Sequence, residues 1–124
     1  MNLNQITAPC TDLERSVAFY QSLGLKLIVH APPRYARFEC LPGGNSFSLH
    51  KVDALGSGPG IYIYFEREDL DAYCAVLREK GIDFDQDPKD ESWLWREARL
   101  KDPDRNQLII YHAGENRLNP PWRL

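Results

Sequence analysis

Two stretches of the chain, DLERSVAFYQSLGL (Asp12 to Leu25) and DLDAYCAVLREKGI (Asp69 to Ile82), are copies of one pattern 57 residues apart. They align without a gap: Leu13 falls on Leu70, Ala18 on Ala75, Tyr20 on Leu77, Gly24 on Gly81 and Leu25 on Ile82. Apolar residues recur at three- and four-residue steps, as Leu13, Val17, Tyr20 and Leu23 in one copy and Leu70, Cys74 and Leu77 in the other. That spacing predicts an amphipathic helix in each. Thr11 with Glu14 three residues on suits a capping box at the first helix start. Gly24 and Gly81 stand where a left-handed residue ends a helix, and Leu25 and Ile82 supply the apolar contact that follows.

Strand candidates flank each helix in the same order. Asn4 to Ala8 precedes the first helix, and Lys26 to His30, Tyr35 to Cys40 and Ser46 to Val52 follow it. Ile61 to Glu66 precedes the second, followed by about Asp83 to Asp85, Trp93 to Leu100 and Gln107 to Tyr111. The last two strands of each half are joined by a tight turn, around Pro42 and Pro103, now 61 residues apart. The second half has therefore gained four residues between its strands. The reading is an α+β protein of two βαβββ modules, about 1–53 and 60–112, with a tail at 113–124. Neither module can bury both its helix and its sheet face alone, so 1–124 is expected to act as one domain.

Composition excludes several classes. The 124 residues carry 15 Lys and Arg against 18 Asp and Glu, a net charge of −3, with no basic cluster beyond pairs. A nucleic-acid partner is not expected. No run approaches the length of a membrane span, and MNLNQITAPC has neither a basic n-region nor a long apolar run, so no secretory signal is read. Three cysteines, Cys10, Cys40 and Cys74, are an odd number without CxxC spacing. They fit reduced thiols, and a cytoplasmic location is the expectation.

Paired βαβββ modules, the DLERSVAFY helix (12–20) and the REARLKDPD segment (96–104) resemble the vicinal oxygen chelate superfamily. That group includes glyoxalase I, extradiol dioxygenases, fosfomycin-resistance enzymes and bleomycin-resistance proteins. The resemblance covers all but the last dozen residues. It implies a curled, mostly antiparallel eight-stranded cup with one helix per module, and a homodimer. It also implies a divalent metal in the enzymes, held from the first and fourth strand of each module. Those positions here are Gln5, Ser48, Tyr62 and Ile109, and the offsets of 57 and 61 connect them in the same way as the helices and prolines.

This set offers a metal an amide, a hydroxyl, a phenol that binds only when ionised, and a hydrocarbon. Transition ions want imidazole, carboxylate or thiolate, usually three or more. The inherited metal site is therefore read as lost, and no cofactor is expected. A displaced set of His50, Glu97 and Gln5 has no signature spacing, and a hydrogen-bonding role at the rim is favoured for His50.

Strand alternation then says what lines the hollow. With Ile109 go Gln107 and Tyr111, while Leu108 and Ile110 lie under the helix. The neighbouring strand turns Trp93, Trp95, Glu97 and Arg99 to the hollow and Leu94, Ala98 and Leu100 to the helix. Tyr62, Tyr64 and Glu66 join the first group, and Ile61, Ile63 and Phe65 the second. The first module contributes Gln5, Ser46, Ser48 and His50, with Phe38 a further candidate. Arg99 serves either a ligand carboxylate or Glu97. The tail, with Leu118, Trp122 and Leu124, is expected to strap across its own module or a partner subunit.

The reading that follows is a metal-free small-molecule binder of the bleomycin-resistance type, taking an aromatic or amphipathic ligand on Gln5, Ser48, His50, Tyr62, Tyr64, Trp93, Trp95, Glu97, Arg99, Ile109 and Tyr111. No catalytic residue and no metal ligand is assigned. The alternative is an enzyme of the same superfamily. It would be a glyoxalase-type lyase or isomerase with displaced metal ligands, or a metal-free catalyst using Glu97 or Tyr62 for acid–base chemistry.

Overall fold

A computed structural model describes residues 1–124. The elements are β1 (Gln5–Cys10), α1 (Leu13–Ser22), β2 (Lys26–Ala31), β3 (Tyr35–Cys40), β4 (Asn45–Lys51), β5 (Tyr62–Glu66), α2 (Leu70–Glu79), β6 (Gln86–Asp90), β7 (Arg96–Lys101) and β8 (Gln107–His112). They form two four-stranded sheets, ordered β1-β4-β3-β2 and β5-β8-β7-β6. In each, the first strand runs parallel to the fourth and the other pairings are antiparallel. This is the βαβββ module twice, in an α+β fold. The repeat extends to the register: Gln5 faces Ser46 and Tyr62 faces Gln107, the same 57- and 61-residue steps. No helix is long and apolar enough to cross a membrane.

The chain divides into two compact units, Met1–Pro59 with Asp102–Arg105, and Gly60–Lys101 with Asn106–Leu124. In the first, α1 buries Leu13, Ser16, Val17 and Tyr20. The Tyr20 ring lies 4.5 Å from that of Phe47 and 5.9 Å from that of Phe38. Each fully buried ring or aliphatic side chain of this kind stabilises the fold by roughly 1.5–3 kcal/mol. In the second unit α2 buries Leu70, Cys74 and Leu77, while Ile63, Ala98, Leu100, Leu108 and Ile110 are buried along β5, β7 and β8.

Both helices end as their sequences require. Gly24 and Gly81 have φ of 94° and 88°, conformations that cost a residue with a Cβ. Leu25 N donates to Tyr20 O and Gly24 N to Gln21 O; Ile82 N donates to Leu77 O and Gly81 N to Arg78 O. These are the paired closing bonds of a Schellman motif.

Several expectations need correction. The α1 cap is Asp12, whose side chain accepts from Arg15 N, and not Thr11. Thr11 is drawn away because its N–H and hydroxyl both donate to Asp104 Oδ1, at 3.0 and 2.6 Å. The sixth strand is Gln86–Asp90 rather than Asp83 to Asp85. It lies on the sheet edge, where Pro88 loses no ladder bond. The seventh begins at Arg96, because Leu94 takes φ of 66° in the turn before it. That turn leaves Leu94 exposed instead of under the helix, and Ile61, just ahead of β5, is exposed too. Phe38 packs in the helix-side core, on the opposite face from Ser48.

Candidate functional site

In the second unit the registers of β5, β8 and β7 place Tyr64, Ile109 and Arg99 side by side, and Glu66, Tyr111 and Glu97 beside them. Alternation therefore puts Tyr62, Tyr64, Glu97, Arg99, Ile109 and Tyr111 on one face, away from α2. Trp95, just before β7, stacks on Tyr111 with ring centroids 4.7 Å apart and planes 22° apart. Tyr64 meets both rings edge-on, at 5.9 Å from Trp95 and 5.5 Å from Tyr111. Ile109, Tyr111 and Ala113 are buried beneath Trp95. Tyr62, Tyr64 and Trp93 keep substantial exposed surface. The result is a rigid aromatic floor with an open edge.

Glu97 is 1% exposed. Its oxygens are both engaged: Trp93 Nε1 donates to Oε1 at 2.9 Å and Arg99 Nη2 to Oε2 at 3.1 Å. Arg99 thus neutralises Glu97, one of its two expected roles, and fixes it among aromatic rings where an unpaired carboxylate would be costly. The Arg99 Nε is buried without a hydrogen-bond partner. Burial pushes the Tyr64 and Tyr111 phenols above their ordinary range, with Glu97 adding to it for Tyr64 and Glu66 for Tyr111, so both remain protonated donors. Glu66 is occupied elsewhere. Its Oε1 accepts from the backbone N–H of Ala113 and Gly114. The tail folds from there into a short 3-10 turn, Gly114–Arg117, whose Asn116 O accepts from Trp95 Nε1. The tail's start therefore braces the aromatic floor of its own module, while Leu118, Trp122 and Leu124 stay exposed.

In the first unit one face of the sheet carries Gln5 on β1, Tyr35 and Arg37 on β3, and Ser46, Ser48 and His50 on β4. Ser48 is fully buried, and its hydroxyl lies 2.7 Å from the Tyr35 hydroxyl. Arg37 Nε donates to the same Tyr35 oxygen at 2.9 Å. Gln5 Oε1 accepts from Ser46 Oγ at 2.9 Å. Burial opposes ionisation of Tyr35, but hydrogen bonds from Ser48, Arg37 and Gln5, with the Arg37 charge, outweigh it and lower the phenol below its ordinary value. His50 is exposed and stands across from Tyr35 in the register. Tyr35 and Arg37 were not among the expected site residues. The signal was present: they share strand parity with each other, and Phe38 has the parity of the core.

The four positions that the family resemblance assigns to a metal do not fit one. Ile109 has no donor atom, Ser48 and Gln5 offer neutral oxygens already hydrogen-bonded to Tyr35 and Ser46, and Tyr62 offers a phenol. No group of three or more His, Cys, Asp or Glu side chains is placed to hold an ion. His30 is engaged with Glu14 at 2.8 Å.

Comparison with known proteins agrees with the fold. A protein of Bacillus subtilis (strain 168), the uncharacterized protein YraH, is 30% identical over 127 residues, covering 90% of this chain and 98% of its own. The crystal structure of a glyoxalase/bleomycin resistance protein/dioxygenase from Nocardioides is 26% identical, covers 100% of this chain and 89% of its own, and superposes with a TM-score of 0.79. Lactoylglutathione lyase from Agrobacterium tumefaciens, at 17% identity with 90% and 92% covered, shares the fold with a TM-score of 0.75. The model of the glyoxalase/bleomycin resistance protein/dioxygenase superfamily matches residues 2–110, and the chain belongs to that superfamily.

Proposed function

We propose that this protein binds a small aromatic or amphipathic molecule without a metal, on the aromatic face of its second module. One observation carries the reading: Trp95, Tyr111 and Tyr64 are packed against one another while Tyr64 and the neighbouring Trp93 remain partly open. A flat ligand gains stacking area on such a surface without first ordering it, since the rings are already fixed. The tail supports the floor from one side through Asn116. Glu97, with both oxygens engaged, serves this face as a structural anchor for Trp93 and Arg99.

The donor chemistry favours binding over metal-assisted catalysis, because the inherited ligand positions hold neutral or hydrocarbon side chains. Superfamily membership alone does not choose between the two, since one fold carries many activities. The likeness to lactoylglutathione lyase, at 17% identity, bears on the fold only. A homodimer is part of the proposal, and sedimentation equilibrium of the full chain tests it.

Binding is tested with planar aromatic compounds, read by tryptophan fluorescence and thermal shift on chelator-treated protein. The expected result is saturable binding that Trp95→Ala weakens at least tenfold, while circular dichroism shows the variant folded. Loss of the stacking together with the ring area it buries, about 1.5–3 kcal/mol, gives that factor. Equal affinity in parent and variant, or affinity that appears only with added zinc or nickel, refutes the reading.

A further inference from the structure

We propose, resting on the reading of the aromatic face as the binding surface, that Arg99 selects its ligand. The ligand is an uncharged planar molecule with a carbonyl-type oxygen at its edge, preferred over an aromatic acid or a bare hydrocarbon. Glu97, 1% exposed, is the hub. Trp93 Nε1 donates to one of its oxygens at 2.9 Å and Arg99 Nη2 to the other at 3.1 Å. One carboxylate therefore holds an indole and a guanidinium next to each other. Both stay partly open, Trp93 at 38% and the Arg99 side chain at 32%. A flat ring laid against Trp93 brings its edge substituent to the guanidinium.

Hydrogen-bond supply decides what that substituent is. A guanidinium has five N–H donors and no acceptor. The fold uses only Nη2 of Arg99. Its Nε is the one buried side-chain nitrogen or oxygen in the protein without a partner, and Nη1 has no partner either. Both Glu97 oxygens are already engaged. The site has donors to spare, so an oxygen acceptor on the ligand is what it lacks. A hydrocarbon would leave the surplus as it stands.

Charge decides against an acid. Gln86, opposite Arg99 on β6, donates to the backbone oxygen of Glu97 and to Glu91 Oε1, both at 3.1 Å. Glu91 brings a second carboxylate into the network, and Lys89 approaches it at 3.9 Å. The two carboxylates and two cations cancel, and the cation nearest the rings, Arg99, is already paired. An incoming carboxylate would meet Glu97 across the same guanidinium and compete for its charge. A neutral carbonyl takes the spare N–H without that repulsion.

The test is equilibrium dialysis of the full chain with 2-acetylnaphthalene, 2-naphthoate and naphthalene. The parent is expected to bind 2-acetylnaphthalene roughly tenfold tighter than 2-naphthoate. Arg99→Met/Glu97→Gln removes both charges together. It should cut the ratio of 2-acetylnaphthalene to naphthalene affinity roughly tenfold, the scale of one hydrogen bond to a charged donor. Glu97→Gln keeps an acceptor for Trp93 but frees the Arg99 charge, and should raise 2-naphthoate affinity roughly tenfold over the parent. Circular dichroism checks that both variants fold, and the double variant decides alone where Glu97→Gln does not. An unchanged ratio in the double variant, a parent that binds 2-naphthoate as tightly as 2-acetylnaphthalene, or no gain for 2-naphthoate in folded Glu97→Gln overturns the proposal. If Trp95→Ala still weakens all three probes in that case, the aromatic face stands as a binding surface and only selection by Arg99 has failed. No binding of any probe, or affinities that Trp95→Ala leaves unchanged, removes the aromatic face and this inference with it.

Discussion

The Asp104 carboxylate, 6% exposed, gathers donors from one short segment of the first unit. Thr11 gives it both its N–H and its hydroxyl, Ser16 its hydroxyl at 3.1 Å, and Arg15 approaches at 3.4 Å. Asp102 next to it accepts from the buried Tyr20 hydroxyl at 2.6 Å and from Asp104 N. Removing such an acceptor leaves buried donors unpaired, so Asp104→Ala should cost about 3 kcal/mol in urea unfolding, and Asp104→Asn about half as much. A loss below 1 kcal/mol for the alanine variant would mean that water replaces these bonds, at about the cost of a neutral hydrogen bond. Two thiols add a pH effect. Burial, with Asp104, Asp102 and Asp12 adding to it, pushes Cys10 up from 9.0 to about 11, and burial does the same to Cys74. Between those values the unfolded chain gives up thiol protons that the folded chain keeps. The unfolded state then binds fewer protons, so stability falls as pH rises, by on the order of 2–3 kcal/mol per thiol once pH exceeds the folded value. Urea midpoints measured from neutral pH upward should fall more steeply for the parent than for Cys10→Ala/Cys74→Ala. Parallel curves would show that the thiols are not the cause.

Helix ends are where local sequence and local structure coincide, and α2 offers a clean test. Gly81 has φ of 88°, and a Cβ placed there would meet nothing within 4 Å. Gly81→Ala should therefore show the backbone cost alone, about 1 kcal/mol in thermal or urea unfolding. A neutral substitution would mean that the helix end re-forms without its left-handed residue. The same locality explains what could be read in advance. Both helices, both Schellman ends, β3 in full and the alternation that separates Leu108 and Ile110 from Ile109 and Tyr111 rest on residues near one another in sequence. What escaped depends on distant partners. Thr11 yields the cap to Asp12 because Asp104, 93 residues away, takes both its donors. Gln86–Asp90 has no apolar alternation and contains Pro88; it is a strand because β7 pairs with it along the sheet edge. Tyr35 gains its character from Ser48 and Gln5, on two other strands, and nothing within Tyr35–Cys40 announces that.

At the scale of the whole molecule, the two modules repeat the backbone with steps of 57 and 61 residues but not the chemistry of their faces. The first carries a phenol, a guanidinium and hydroxyls; the second carries stacked rings around a neutralised Glu97. If the inherited metal positions have lost their function, restoring one donor should not restore an ion. Ile109 is the sharpest case, being fully buried and the cross-strand partner of Arg99. A carboxylate introduced there meets a guanidinium at once and competes with Glu97 for it. The only donors the family pattern adds are the neutral Gln5 and Ser48 and the phenol of Tyr62. Ile109→Glu should accordingly lower stability by roughly 2 kcal/mol or more, as burial of a partly compensated charge requires. After equilibration with zinc and exhaustive dialysis it should retain no stoichiometric metal, as should the parent. Elemental analysis beside thermal unfolding decides it. One equivalent of zinc in Ile109→Glu, with a raised unfolding temperature, would mean that the site lacks only its fourth ligand. One equivalent in the parent would mean that the neutral set holds the ion unaided, and that ligand binding must be explained through it.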